Sequence, residues 1–145
     1  MQEWSPLATS RYQDHVIAHV EGATALGYFV IDDAAYMLLD IALILTIYCS
    51  GEMALMPQAV VVKDLPAEEE LKAELLSDIE RLHAGGREGL ARITPAPTGC
   101  LIREVKLFAQ GERRRIMLEG EEAGIAVEGS LETGEVRVRE ITGSE

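Results

Sequence analysis

Between Arg11 and Lys63 the chain has no lysine or arginine, while the same stretch carries Asp14, Glu21, Asp32, Asp33, Asp40 and Glu52. Over all 145 residues, 13 basic side chains stand against 25 acidic ones, for a net charge of −12. A phosphate backbone needs cations to neutralise it, so this balance speaks against a nucleic-acid partner. Cysteine is scarce as well. Cys49 and Cys100 are far apart and neither has a second Cys at metal-ligand spacing, so the framework of a small secreted domain is missing and reduced thiols are expected. The first residues, Met1 to Pro6, lack the basic start and apolar run of an export signal, which makes the cytoplasm the expected address.

A long uninterrupted apolar run is also missing. Ala34 to Cys49 comes nearest, but Asp40 and Thr46 interrupt it and no cation flanks it. A spanning helix needs about 20 apolar residues, and a central Asp costs roughly 2.5–3.5 kcal/mol on insertion. No membrane partner is expected. No Gly-rich loop follows a strand and opens a helix, and there is neither a Gly-x-Ser-x-Gly elbow nor a His-Glu-x-x-His pair. The sequence therefore names no cofactor and no small-molecule ligand.

What is present is the composition of a folded chain, 48% apolar and 26% charged, short enough for one domain over residues 1–145. The clearest element is a helix from about Pro66 to Ala84. Leu71, Leu75, Ile79 and Leu82 form one apolar stripe that Leu76 widens. Asp64 or Leu65 precedes the Pro of its first turn, Glu68, Glu69 and Glu70 suit the positive end of its dipole, and Gly85-Gly86 stops it. A surface connection follows, with at most a short strand at Leu90 to Thr94.

From Cys100 onward the period changes to two. Val105, Leu107 and Ala109, then Arg114, Ile116 and Leu118, then Ile125, Val127 and Leu131, then Val136 and Val138 mark four strands of an antiparallel meander. Its polar face holds Arg113, Arg115, Glu128, Arg137 and Arg139, as a solvated sheet surface with cross-strand ion pairs does, and alternation turns Arg114 the other way.

In Asp14 to Lys63, Val16, Ala18 and Val20 alternate with His15, His19 and Glu21, and every second residue from Met37 to Cys49 is apolar. Both patterns predict strands, the second a long one, with Asp32-Asp33 and Ser50-Gly51 as turns and a break or bulge at Pro57 in the strand after them. The expected fold is α+β: a curved antiparallel sheet of about seven strands, able to close toward a barrel, with one main helix packed on it.

A hairpin at Asp32-Asp33 pairs positions whose numbers sum to 65. It brings His15, His19 and Glu21 onto one face with Asp40, Thr46 and Tyr48. Imidazoles beside carboxylates suit acid/base chemistry through His15, His19 and Asp40, or a divalent cation held by His15, His19 and Glu21, with Tyr36, Thr46 and Tyr48 as binding groups. The plainer account of that face is exposure alone. Cys100, in the loop Thr98-Gly99-Cys100, reads as a small buried hydrophobe, and His83 as a partner of its helix dipole. Trp4 and Pro6 dock the N-terminal arm onto the body or onto a partner.

Two functions follow. The first is a non-enzymatic binding or assembly module that forms a homo-oligomer, because the strand from Tyr36 to Cys49 is apolar on both faces and one helix covers only one of them. The alternative is a small metal-dependent or acid/base enzyme using His15, His19 and Asp40.

Overall fold

A computed structural model describes residues 3–41, 43–50, 52–59, 62, 65–97 and 100–142. Ala42, Gly51, Lys63, Asp64, Thr98 and Gly99, which figure in the expectations above, lie outside the described residues.

Among the described residues the chain is α+β, with two helices and two antiparallel sheets of five strands each. In chain order the elements are β1 (Ser5–Pro6), α1 (Arg11–Val20), β2 (Ala25–Ile31), β3 (Ala34–Leu39), β4 (Leu43–Ser50) and β5 (Glu52–Ala59). They continue with α2 (Glu69–His83), β6 (Thr94–Pro95), β7 (Glu104–Gln110), β8 (Arg113–Glu119), β9 (Ala123–Ser130) and β10 (Val136–Thr142). One sheet has the order β1-β7-β8-β9-β10, the other β5-β4-β3-β2-β6. The strands do not form one sheet of seven, and they do not close into a barrel.

The two sheets lie face to face. Met37, Leu39, Leu45, Ile47, Met53 and Leu55 from the β5–β2 sheet meet Leu107, Ile116, Leu118, Ile125 and Val127 from the other, all buried. Val16 and Val20 of α1 close this core. On the far side of the β5–β2 sheet, Leu75, Ile79 and Leu82 of α2 cover Phe29, Tyr36, Leu38 and Ile44. The layers therefore run sheet, sheet, helix. Both faces of the β5–β2 sheet are covered within one chain, so the apolar second face from which an oligomer was expected has its cover.

The region from Asp14 to Val20 is helical, not a strand, and Glu21 follows it as the C-cap. Ser10 caps it: its Oγ accepts from the Gln13 backbone N–H at 3.1 Å while Gln13 Oε1 accepts from the Ser10 N–H at 2.9 Å. Val16 and Val20, one turn apart, are buried and Ala18 is exposed, which is helical periodicity with β-branched residues in the buried stripe. Gly22, at φ 95°, takes the left-handed position just past the helix end.

The long strand expected from Tyr36 to Cys49 is a hairpin, β3 and β4, with Asp40 and Ile41 in its turn. Pairing runs from Ala34↔Tyr48 to Leu38↔Ile44, so Met37 faces Leu45 and Tyr36 faces Thr46. Because residues of equal parity pair, the alternation passes through the turn unchanged and conceals it. Asp32-Asp33 does turn the chain, with Asp32 at φ 53°, and β2 and β3 pair from Gly27↔Leu38 to Ile31↔Ala34 in the expected register. An irregularity between Ala25 and Gly27 then shifts Ala25 onto Leu39 instead of Asp40. At Gly27 a Cβ would lie 2.6 Å from Ile93 Cγ2 and 3.1 Å from Leu82 Cδ1, so only glycine lets α2 and the loop after it approach this strand.

Pro57 neither breaks nor bulges β5. Leu45↔Pro57 sits inside an unshifted ladder, and β5 is the terminal strand of its sheet, the position where a strand tolerates proline. Helix α2 starts later than expected, with Glu68 as N-cap and Pro66 outside it, and Leu76 is exposed instead of widening the buried stripe. The meander β7–β10 follows the expected strands, with Leu131 just beyond β9.

Candidate functional site

The face proposed from the sequence is divided between three elements. His15 and His19 lie exposed on α1, one turn apart, their ring centroids 5.0 Å apart and nearly perpendicular at 82°. Glu21 is the C-cap of that helix, and its Oε2 accepts from the Val105 N–H at 3.3 Å. Asp40 sits exposed in the β3–β4 turn, where its Oδ1 accepts from the Thr24 N–H at 2.9 Å and its own N–H donates to Thr24 O at 3.0 Å. That reciprocal pair pins the hairpin to the segment after α1 and gives the carboxylate a structural task. No hydrogen bond or ion pair joins Asp40 to either imidazole, and among the described residues no group of three or more His, Cys, Asp or Glu is arranged to hold a metal.

Tyr36, Thr46 and Tyr48 do share a face, the one toward α2. Tyr36 stacks on Phe29 with centroids 5.0 Å apart and an interplanar angle of 6°. Burial, with the nearby Asp32 charge, pushes its hydroxyl pKa up, which disfavours the phenolate. Thr46 is 6% exposed and its Oγ1 has no partner among the described residues. The hairpin brings these three together; the change of Asp14–Val20 from strand to helix removes the histidines from them.

The thiols are not activated. Burial pushes Cys49 up, with Arg114 opposing it and Glu52 adding to it, and burial together with Glu140 pushes up the fully buried Cys100. Tyr28 donates to Glu140 Oε2 at 2.8 Å across the edge of the two sheets, and burial, then this bond and charge, raise its pKa strongly. A buried group that the sequence reading passed over is Asp78, 2% exposed on α2. Burial would raise its pKa, but the N–H groups of Ala91, Arg92 and Ile93, donating at 2.9, 2.7 and 2.9 Å, hold it below the usual carboxylate range, with help from Arg81. It is the anchor of the loop that leads to β6.

The densest polar constellation lies on the outer face of the β1–β10 sheet. Glu128 accepts from Arg113 at 3.0 Å and from Arg115 at 2.7 and 3.0 Å, and Arg139 lies 3.6 Å away. Arg137 stands directly across from Glu128 in the ladder and makes no ion pair among the described residues. Trp4 lies over the guanidinium groups of Arg115 and Arg113, at 4.2 and 5.3 Å from its centroid. Carried there by β1, which pairs with β7, it docks the N-terminal arm onto the body. Beside these groups an open hollow of about 330 Å³ is lined by Arg113, Glu128, Gly129, Ser130, Glu135 and Arg137. Arg114 faces the other way, paired through two bonds of 2.7 and 2.9 Å to Glu52. Alternation had already grouped Arg113, Arg115, Glu128, Arg137 and Arg139; the cation excess around one shared carboxylate emerges only with the register.

No helix among the described residues is long and apolar enough to cross a membrane. No family model, no curated protein and no solved structure matches this chain.

Proposed function

We propose that this chain is a non-enzymatic binding or assembly module whose docking surface is the arginine face of β8–β10, and that the occupant is the acidic α2 surface of a second copy. The observation that carries this reading is that three arginines share the Glu128 carboxylate while a fourth, Arg137, makes no ion pair among the described residues beside an open hollow that Glu135 also lines, and that the Arg113 and Arg139 side chains are each 55% exposed. In a chain of net charge −12, such a local excess of cations is complementary to most of the remaining surface.

The layer order gives the two surfaces opposite places. The arginine face is the outer side of the first sheet, whereas α2 caps the second and exposes Glu69, Glu70 and Glu80, with Lys72 paired to Glu69 and Leu76 exposed one turn before Glu80. Copies that stack arginine face to helix make a heterologous, head-to-tail contact. The enzyme alternative loses its support because His15, His19 and Asp40 are not joined.

Sedimentation across a concentration series at low and at high salt tests this. Association is expected at low salt and weakens with added salt, Arg137→Glu reduces it, and mixing that variant with Glu80→Arg restores it. A monomer at every concentration in low salt, or association indifferent to salt and to Arg137→Glu, overturns the reading.

A further inference from the structure

We propose that His15 and His19 form a two-point clip on α1 for one divalent cation of the imidazole-preferring class, such as zinc or nickel. The clip is independent of the arginine face and of any assembly built on it. Residues four apart on a helix project from the same side, one turn above the other. Here the two rings already stand 5.0 Å apart, edge to face, and both are exposed.

Imidazole nitrogens bind zinc at about 2.0–2.1 Å, so both rings need only turn about their side-chain torsions to bring one nitrogen each to a shared ion. The backbone beneath them does not have to move. It is fixed by the Ser10–Gln13 capping box, by burial of Val16 and Val20, and by Gln13 Nε2 donating to Met53 O at 2.8 Å. Arg11, one turn before His15, opposes a cation, and Asp14, next in sequence to His15, favours one. Glu21 is engaged with Val105, so it is not a third ligand and the remaining coordination positions go to water.

Imidazole donors select zinc, copper and nickel, whereas magnesium and calcium prefer oxygen.

Calorimetric titration with zinc chloride, repeated with nickel and with magnesium, tests the clip on the wild type and on His15→Ala, His19→Ala and His83→Ala. One zinc per chain is expected. His15→Ala and His19→Ala should each weaken zinc at least tenfold, while His83→Ala, which removes the remaining histidine of the chain, leaves it unchanged. Circular dichroism of the variants should match the wild type, since both histidines are exposed. Equal binding of zinc and magnesium, or zinc binding that survives the loss of both His15 and His19, overturns the proposal.

Discussion

The β5–β2 sheet and the β7–β10 meander are both antiparallel, yet they write themselves into the sequence in different ways. The meander has one face on the core and one largely in water, so β7 and β8 alternate, with Val105, Leu107, Ile116 and Leu118 turned inward and Lys106, Arg113 and Arg115 turned outward; in β9 the small Gly124 and Ala126 of the outer face are buried as well, and Glu128 restores the alternation. The β5–β2 sheet is the middle layer. β3 is Ala-Ala-Tyr-Met-Leu-Leu with five of its six residues buried, because one face meets the other sheet and the other meets α2. Alternation is a record of solvent on one side, and where solvent is on neither side it fades.

The largest expected effect sets the two sheets directly against each other. Leu38, fully buried under α2, and Met117, half-buried on the outer face of β8, are both strand side chains facing away from the core between the sheets. Leu38→Asp places an unpaired charge in a dry layer and should cost more than about 4 kcal/mol, enough to unfold the chain. Met117→Glu sits across from Lys106 and should cost about 1 kcal/mol or less. Denaturant titration of the two variants measures the contrast. Similar losses from both changes would show that the meander's outer face is covered like the other.

The same contrast explains what could be read from the residues. Leu75, Ile79 and Leu82 fell on the buried stripe of α2 because that helix keeps a wet face, and the four strands of the meander followed for the same reason. The β3–β4 turn was hidden because Tyr36 and Thr46 have equal parity on either side of it. α1 reads as a strand because Val16, Ala18 and Val20 alternate with His15, His19 and Glu21, although Ser10-x-x-Gln13 is a helix start signal. The candidate site inherited both errors. Tyr36 and Thr46 stayed together through the hairpin, whereas the histidines left with the helix and Asp40 turned to Thr24. Trp4 could not be placed on Arg115, since nothing local specifies which strand pairs with a two-residue β1.

An intermediate effect concerns how the helix side of the middle sheet is closed. Asp78 holds the segment Ala91–Ile93 by three amides, and Ile93 packs into the layer between α2 and the sheet. Asp78→Asn replaces an acceptor-only group with one that also donates, and should cost about 2–3 kcal/mol at neutral pH. The folded carboxyl titrates below its unfolded value, so its contribution is fully present above the unfolded pKa and is lost as pH falls through the folded one. Acid titration of stability should therefore fall more steeply for the wild type than for Asp78→Asn below the ordinary carboxylate range. Parallel acid profiles would mean that Asp78 does not carry this loop.

The smallest expected effect has the opposite sign and tests whether the middle sheet tolerates any polar group without use. Thr46 stands between Tyr36 and Met56 on the α2 side of β4, buried, with its hydroxyl unpaired among the described residues. A buried hydroxyl that finds no partner forfeits its bonds to water, at about 1–3 kcal/mol. Thr46→Val keeps the branched shape and removes that loss, and β propensity does not oppose it. The variant should be more stable by about 1 kcal/mol in a denaturant titration, with unchanged slope. Thr46→Ser, which keeps the hydroxyl and gives up a packed methyl, should be less stable than the wild type. If Thr46→Val instead lowers stability, the hydroxyl is bonded in solution. The two-sided apolar character of the middle sheet would then be broken at the residue that the sequence reading had marked as a binding group.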